Sequence, residues 1–235
     1  MRQIISHLVL SFIPLAFLGS GFVPTVGSAG APTTKPSTQP DESTAARGFG
    51  RALRDANVNA VTKALDSGIS ANDRIYGDMP LAIAAMKGNL KIATLLLDHG
   101  AKPDSDNQWG CTALYCAAWH ADAPMVQLLL EHGAKSQIES SLAYAAFHGE
   151  TNVLRALIDH GANVNSPDTA NRKTPLYKAA SKGHKEAVLM LLEAGADPAI
   201  ANDDGITPAV AAKEYNHPEI ADVISSFKPK ADKSK

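Results

Sequence analysis

The sequence predicts an all-α solenoid of stacked helix-turn-helix units, and three observations carry that prediction. A Gly-Ala phrase closes each of a series of apolar runs. Gly100-Ala101, Gly133-Ala134, Gly161-Ala162 and Gly195-Ala196 lie 33, 28 and 34 residues apart, behind runs such as Leu95-Leu96-Leu97, Leu128-Leu129-Leu130 and Leu191-Leu192. A second phrase keeps the same beat: Met79-Pro80-Leu81, Thr112-Ala113-Leu114, Ser140-Ser141-Leu142, Thr174-Pro175-Leu176 and Thr207-Pro208-Ala209. An Ala pair follows the first four: Ala84-Ala85, Ala117-Ala118, Ala145-Ala146 and Ala179-Ala180. Two phrases sharing one period indicate a repeat, and a single helix pair of this size buries too little surface to stand alone, so the units must stack.

The elements follow in chain order. Arg2 precedes an apolar stretch from Ile4 to Val23, and the small residues Gly27-Ser28-Ala29 offer a cleavage site, so residues 1–29 read as a secretory signal peptide. The alternative is an uncleaved membrane anchor. Pro14, Gly19 and Gly21 interrupt the stretch and no basic cluster follows it, which favours cleavage; the lack of a nearby Cys argues against lipid attachment. Residues 30–43, dominated by Pro, Thr and Ser, read as a disordered linker. Residues 44–228 form the repeat domain. Residues 229–235 read as a basic disordered tail.

Within one unit, Thr174 or Thr207 caps a helix whose first-turn Pro175 or Pro208 has no amide hydrogen to leave unsatisfied. The Ala pair lets a neighbouring helix approach closely. Gly149 or Gly183 then turns the chain toward a second helix, on which Val188, Leu189, Leu191 and Leu192 form one apolar stripe and Gly195 supplies the left-handed stop.

These phrases and their period resemble the ankyrin repeat, whose pattern is a hairpin finger, Thr-Pro-Leu-His, Ala-Ala, and a second helix ending in Gly-Ala. The resemblance implies an ankyrin-repeat solenoid with short hairpin fingers, in about six units: 44–72, 73–105, 106–138, 139–166, 167–200 and 201–228. It is strongest over residues 73–200. Phe49 to Asn72, with Val61, Ala64, Leu65 and Gly68, reads as an opening unit whose first helix is worn. No unit carries the family's His: Ala82, Tyr115, Ala143, Tyr177 and Val210 stand in its place. The fourth unit is short by about five residues, which predicts a gap in the row of fingers.

Composition bounds the function. A formal net charge of −2 over 235 residues gives no electrostatic footprint for nucleic acid. An exported chain with no Asn-x-Ser/Thr sequon fits a bacterial envelope, periplasmic or secreted, better than a eukaryotic secretory route. Once the signal is removed no membrane association is expected, and the free chain is expected to be a monomer.

Candidate chemistry is sparse. Cys111 and Cys116 are the only cysteines. Along a helical path they lie roughly 8 Å apart at about 1.5 Å rise per residue, beyond a disulfide's usual span, so Cys116 reads as a buried structural thiol in the column of Ile83. His99, His132 and His160 form one column at helix ends. Stacked helices sit about 8–10 Å apart, too far to share one ion at about 2.0 Å ligand distance, so these histidines read as helix-end partners of the dipole. No metal or cofactor is expected. There is no phosphate loop and no Gly-x-Ser-x-Gly, so a thiol-based or hydrolytic enzyme is the disfavoured class.

The resemblance implies that the two residues after each Ala-Ala lie on the concave face. Here they are Met86 and Lys87, Trp119 and His120, Phe147 and His148, and Ser181 and Lys182. Ile75, Tyr76 and Asp78 in one finger and Gln108 and Trp109 in the next extend the candidate surface. Large apolar rings on positions normally left to solvent have the composition of a protein interface. The alternative is that Trp119 and Phe147 fold down into the space left by the short fourth finger. The expected function is protein–protein binding by an inhibitor or immunity-type protein, or else by a scaffold for a resident envelope enzyme. The mature chain is expected to begin near Gly30. Sequencing the amino terminus of exported protein checks this, and intact Met1 in a membrane fraction would favour the anchor instead.

Overall fold

The computed structural model describes residues 44–228; the segments read as signal peptide, linker and basic tail lie outside the described residues. Those residues form six helix pairs: α1 (Thr44–Arg54) with α2 (Val58–Asp66), α3 (Pro80–Met86) with α4 (Leu90–Asp98), α5 (Ala113–Trp119) with α6 (Ala123–Glu131), α7 (Ile138–His148) with α8 (Thr151–Asp159), α9 (Pro175–Ser181) with α10 (Lys185–Glu193), and α11 (Pro208–Glu214) with α12 (Pro218–Ser226). Each odd-numbered helix packs on the next odd one and each even on the next even. The result is an all-α repeat solenoid of two helix rows.

Capping sets where the helices begin. The hydroxyls of Thr112, Thr174 and Thr207 accept from the backbone N–H of Tyr115, Tyr177 and Val210, and Pro175 and Pro208 sit in the first turn. In the second row, the side chains of Asn57, Asn89 and Asp122 accept from Ala60, Ile92 and Met125. The core runs continuously between the rows. Leu114, Leu142 and Leu176 from the first row meet Leu96, Leu129, Leu157 and Leu191 from the second, all with no exposed surface, and every Ala of the four Ala-Ala pairs is buried. The opening helix was expected to be worn. It nonetheless runs 11 residues, because Phe49, Gly50, Ala52 and Leu53 present one buried face.

The turn between paired helices needs a left-handed residue. Gly149 has φ +74°, and a Cβ there would come within 2.7 Å of the His184 ring, whose Nε2–H donates to the Phe147 carbonyl at 3.1 Å. Absence of a side chain therefore admits the next unit's imidazole.

The fourth unit departs from the others. From Ala134 the chain passes straight into α7, which is 11 residues long where α3, α5, α9 and α11 have seven. Ser140 and Ser141 therefore lie inside the helix, not at its cap. Isolated bridges mark the fingers of the second and third units, Ile75 with Asp78 and Asp106 with Thr112, and none forms in the fourth. Gln137 stands where the missing finger would begin. At φ +63° its side chain reaches back to the third unit: Oε1 accepts from the Thr112 N–H at 2.9 Å and from the Thr112 hydroxyl at 3.1 Å, while Nε2 donates to the Gly110 carbonyl at 2.9 Å.

Three other junctions use a ladder of Asn and Asp side chains. Four residues after Gly68, Gly100 and Gly161 stand Asn72, Asp104 and Asn165. Asn72 donates to the Gly100 carbonyl and accepts from Lys102 N–H, Asp104 accepts from Lys135 and Ser136 N–H, and Asn165 donates to the Gly195 carbonyl and accepts from Asp197 N–H, at 2.8–3.2 Å. Gln137 occupies the same column after Gly133 and points backward, not forward.

Gln137→Ala removes the partner of the buried Thr112 N–H and keeps the strained backbone, so it should cost about 1–3 kcal/mol. Gln137→Gly relieves the positive φ and should cost less. Urea unfolding of both variants checks the order.

Candidate functional site

The face that matters is assembled by the ends of α5 and α7. Trp119, the last residue of α5, stacks on Tyr144 of α7 with ring centroids 4.7 Å apart and planes 25° from parallel. Tyr115 closes the group from one turn earlier, 6.3 Å from Trp119 and 6.2 Å from Tyr144. Tyr144 continues to His148 at 4.3 Å, His148 to Phe147 at 5.0 Å, and the Lys182 ammonium lies 4.5 Å from the Phe147 ring centre. These are edge, tilted and offset pairings of the kind that hold aromatic groups together beyond their area burial, ended by a cation–π contact.

The cluster is braced from the side yet open at its top. Trp119 and Phe147 are each 38% exposed and Met86, one unit earlier, 39%. Lys87, His120, His148 and Lys182 are exposed beside them. Tyr115 and Tyr144 belong to the cluster and were not singled out as contact residues. Tyr144 stands two residues after Leu142, the place of Ile83 and Cys116, which are buried in units that keep their finger. Without a finger in front of it, the ring at that place is half-buried and turns to Trp119. The signal was the five-residue shortening, read together with an aromatic side chain where the two preceding units have Ile83 and Cys116. Burial pushes the phenols of Tyr115 and Tyr144 above their ordinary range, so both are neutral rings with O–H donors.

Two of the candidate residues, Ile75 and Ser181, are buried and do not serve as surface contacts, and Asp78 is half-buried. Ile75 is 1% exposed: its side chain packs over Gly50, where any Cβ would collide with it, so it joins finger and opening helix as core. Ser181 is 8% exposed, and its hydroxyl donates to the Lys178 carbonyl at 3.0 Å, satisfied within its own helix. Asp78 pairs with Ile75 through both backbone groups, and its Oδ1 is buried without a hydrogen-bond partner. Burial raises its carboxyl above the ordinary range, against the pull of Asn107 and Arg74.

The remaining finger residues sit at the surface. Tyr76 is exposed, with the Arg54 guanidinium 4.6 Å from its ring centre. Gln108 covers Gly77 and donates its backbone N–H to the Gly77 carbonyl at 3.1 Å, joining the second and third fingers. Trp109 at the finger tip is exposed, its N–H held by the buried Asn107 side chain at 3.0 Å. The fifth finger is tied down by Asp168, which accepts from Asn171 and Lys173 N–H and pairs with Lys178 at 2.9 Å. Burial raises the Asp168 carboxyl, but the Asn171, Lys178 and Lys173 interactions together outweigh it and hold the group below the usual carboxylate range.

A family model described as ankyrin repeats (3 copies) matches residues 49–140 and 137–202. The chain belongs to the ankyrin-repeat family. Ankyrin repeats generally serve as non-enzymatic protein–protein interaction modules. Over 67 residues the chain is 37% identical to a protein of Danio rerio described as putative palmitoyltransferase ZDHHC13, a match covering 28% of this chain and 10% of that relative. The chain thus spans about a tenth of that relative's length.

The other candidate groups resolve as parts of the ankyrin scaffold. With Nδ1 protonated, His99, His132 and His160 donate to the carbonyls of Leu95, Leu128 and Ala156, four residues back, at 2.8–2.9 Å. Each ring thereby adds a second hydrogen bond to a last-turn carbonyl that the histidine's own backbone N–H also reaches. Among the described residues no three His, Cys, Asp or Glu side chains are grouped to hold a metal ion, and no helix is long and apolar enough to cross a membrane. Cys111 and Cys116 are free thiols, the first half-buried and the second buried. Burial, with smaller contributions from Cys111 and Asp78, pushes the Cys116 thiol up to about 12 from an ordinary 9.0.

Because the folded thiol lies above the unfolded one, its contribution to stability is fully present below about pH 9 and is lost as pH rises toward 12. At pH 8, iodoacetamide should modify Cys111 first and Cys116 only on unfolding, read by mass spectrometry. Cys116→Ala should cost about 1–2 kcal/mol of stability and Cys111→Ser much less.

Proposed function

We propose that this chain is an exported, non-enzymatic ankyrin module that seats a protein partner on its concave face, in the manner of an inhibitor or immunity-type protein. The observation that carries the binding reading is the open aromatic cluster of Trp119, Tyr144 and Phe147, with Met86 one unit away. Rings of this size cost free energy when left in water, and aromatic anchors supply most of the affinity at protein interfaces. The exposed Tyr76 and Trp109 on the fingers flank that face and widen the area a partner could cover. Export rests on the amino-terminal pattern of Arg2, the apolar stretch and Gly27-Ser28-Ala29. With the leader removed, the expected free form is a monomer in the periplasm or outside the cell.

A pull-down with the mature chain from an envelope extract, followed by mass spectrometry, tests the reading. If the captured protein is an enzyme whose turnover falls on binding, the inhibitor role stands; if its turnover is unchanged and its half-life lengthens, the chain is a scaffold. Trp119→Ala should weaken partner binding by about 2 kcal/mol or more, roughly thirtyfold. It should cost about 1–3 kcal/mol of stability, since it loses its ring contacts with Tyr144 and Tyr115 and part of its buried surface, and leave the chain folded. Phe147→Ala provides a second variant. If either variant melts the fold while affinity per folded molecule is unchanged, the rings are core and the concave face is not the binding surface.

A further inference from the structure

The concave face separates its charges from its apolar rings in two parallel columns. Met86, Trp119 and Phe147 form one, and the next residue of each unit forms the other: Lys87, His120 and His148, continued by Lys182 in the fifth unit. All four side chains of the second column are exposed, and no carboxylate among the described residues forms an ion pair with any of them. The opposite end of the structure carries the acids. The last residues of α2, α4, α6, α8 and α10 are Asp66, Asp98, Glu131, Asp159 and Glu193, all exposed. An acid at a helix carboxyl end is disfavoured by the helix dipole, so the second row gains no stability from that placement. A chain of net charge −2 thus sets four exposed basic or imidazole side chains, none of them in a described ion pair, beside its aromatic cluster, and carries a row of acids at the carboxyl ends of its second-row helices. Two carboxylates lie near this face: Glu150, which acts on Tyr144, and the α6 cap Asp122, whose Oδ1 accepts from Met125 N–H and whose Oδ2 would lie 3.3 Å from a Cβ at Gly88, next to Lys87.

We propose that the segment seated on the concave face is acidic: an extended stretch of a partner protein with one aromatic or branched apolar anchor and carboxylates on both sides of it. This rests on the concave-face reading above and adds the partner's chemistry. The anchor lies on Trp119, Tyr144 and Phe147. The carboxylates meet the ammonium groups of Lys87 and Lys182 at the two ends and accept from the imidazole N–H groups of His120 and His148 between them. Four neighbouring units at about 10 Å spacing span roughly 30 Å, which an extended chain covers in about nine residues at about 3.3 Å each. Lys182 already contacts the Phe147 ring, so it holds one charge at the edge of the apolar seat without needing to be ordered on binding. A basic or uncharged segment of the same shape would leave Lys87 and Lys182 unpaired beneath it, and a basic one would be repelled.

The test is selection of randomised nine-residue displayed peptides on the full mature chain, followed by fluorescence anisotropy of the winning peptide at low and physiological salt. The expected winners carry Asp or Glu on both sides of one large apolar residue. Lys87→Glu combined with Lys182→Glu should weaken them at least tenfold and flatten the salt dependence, whereas Arg155→Glu on α8 should stay within about twofold. Thermal midpoints confirm that each variant is folded, and Lys182→Gln replaces Lys182→Glu if the latter is not. Winners without carboxylates, lost with Trp119→Ala but indifferent to the lysine reversals, overturn the acidic partner and leave the concave face standing. Winners indifferent to Trp119→Ala overturn both. Self-association of the chain that Trp119→Ala abolishes replaces the acidic segment with a second copy and overturns the proposal too.

Discussion

Every helix pair in this chain depends on its neighbours to cover an apolar stripe it cannot cover itself. The Ala-Ala pairs make this possible: with only a methyl group at the contact, first-row helices approach closely enough for Leu114, Leu142 and Leu176 to lie in one unbroken core. Larger residues at those positions would separate the units and open voids along the whole stack. The same dependence explains why the structure tolerates a defect. With coupling mainly between nearest neighbours, the loss of a finger in the fourth unit is met locally, by a longer α7 and by Gln137, without disturbing the helices on either side.

That defect is also where the surface chemistry changes. In the second and third units, which keep their fingers, Ile83 and Cys116 are both buried. In the fourth, which lacks a finger, Tyr144 is half-buried and its ring is the centre of a cluster from Tyr115 to Phe147. The cluster's members hold one another upright. A lone exposed Trp would collapse onto the nearest apolar ground, but Trp119 finds Tyr144 at its side and keeps more than a third of its surface in water. Rigidity of this kind favours recognition, because less side-chain freedom remains to be lost when a partner arrives.

Polar bonding between units follows a second logic. The family's inter-repeat histidine is absent from every unit, and the carbonyls and amides at the unit ends are met by Asn72, Asp104 and Asn165. Histidines appear elsewhere, as carboxyl-end partners in His99, His132 and His160 and as an inter-unit wedge in His184. None of these roles calls for a metal or a proton-transfer reaction, in keeping with a scaffold whose polar groups serve its own backbone.

The amino-acid sequence by itself determined the repeat, its period, the helix starts at Thr112, Thr174 and Thr207, the left-handed stops and the short fourth finger. These are local matters, set by caps, glycine and apolar spacing within one or two turns, and so legible in a linear text. Through its resemblance to the ankyrin repeat it also pointed to Met86, Trp119 and Phe147, since that pattern puts the residues after each Ala pair on the concave face. Which finger residues face outward was decided only by the tertiary structure. Ile75 went to the core because Gly50, a full unit earlier, leaves room for it, and Asp78 turned inward with its finger. Tyr115 and Tyr144 joined the site because a missing finger uncovered one and a neighbouring helix brought the other beside it. Burial and ring stacking are relations between segments distant in sequence, and only the packed chain brings those segments together.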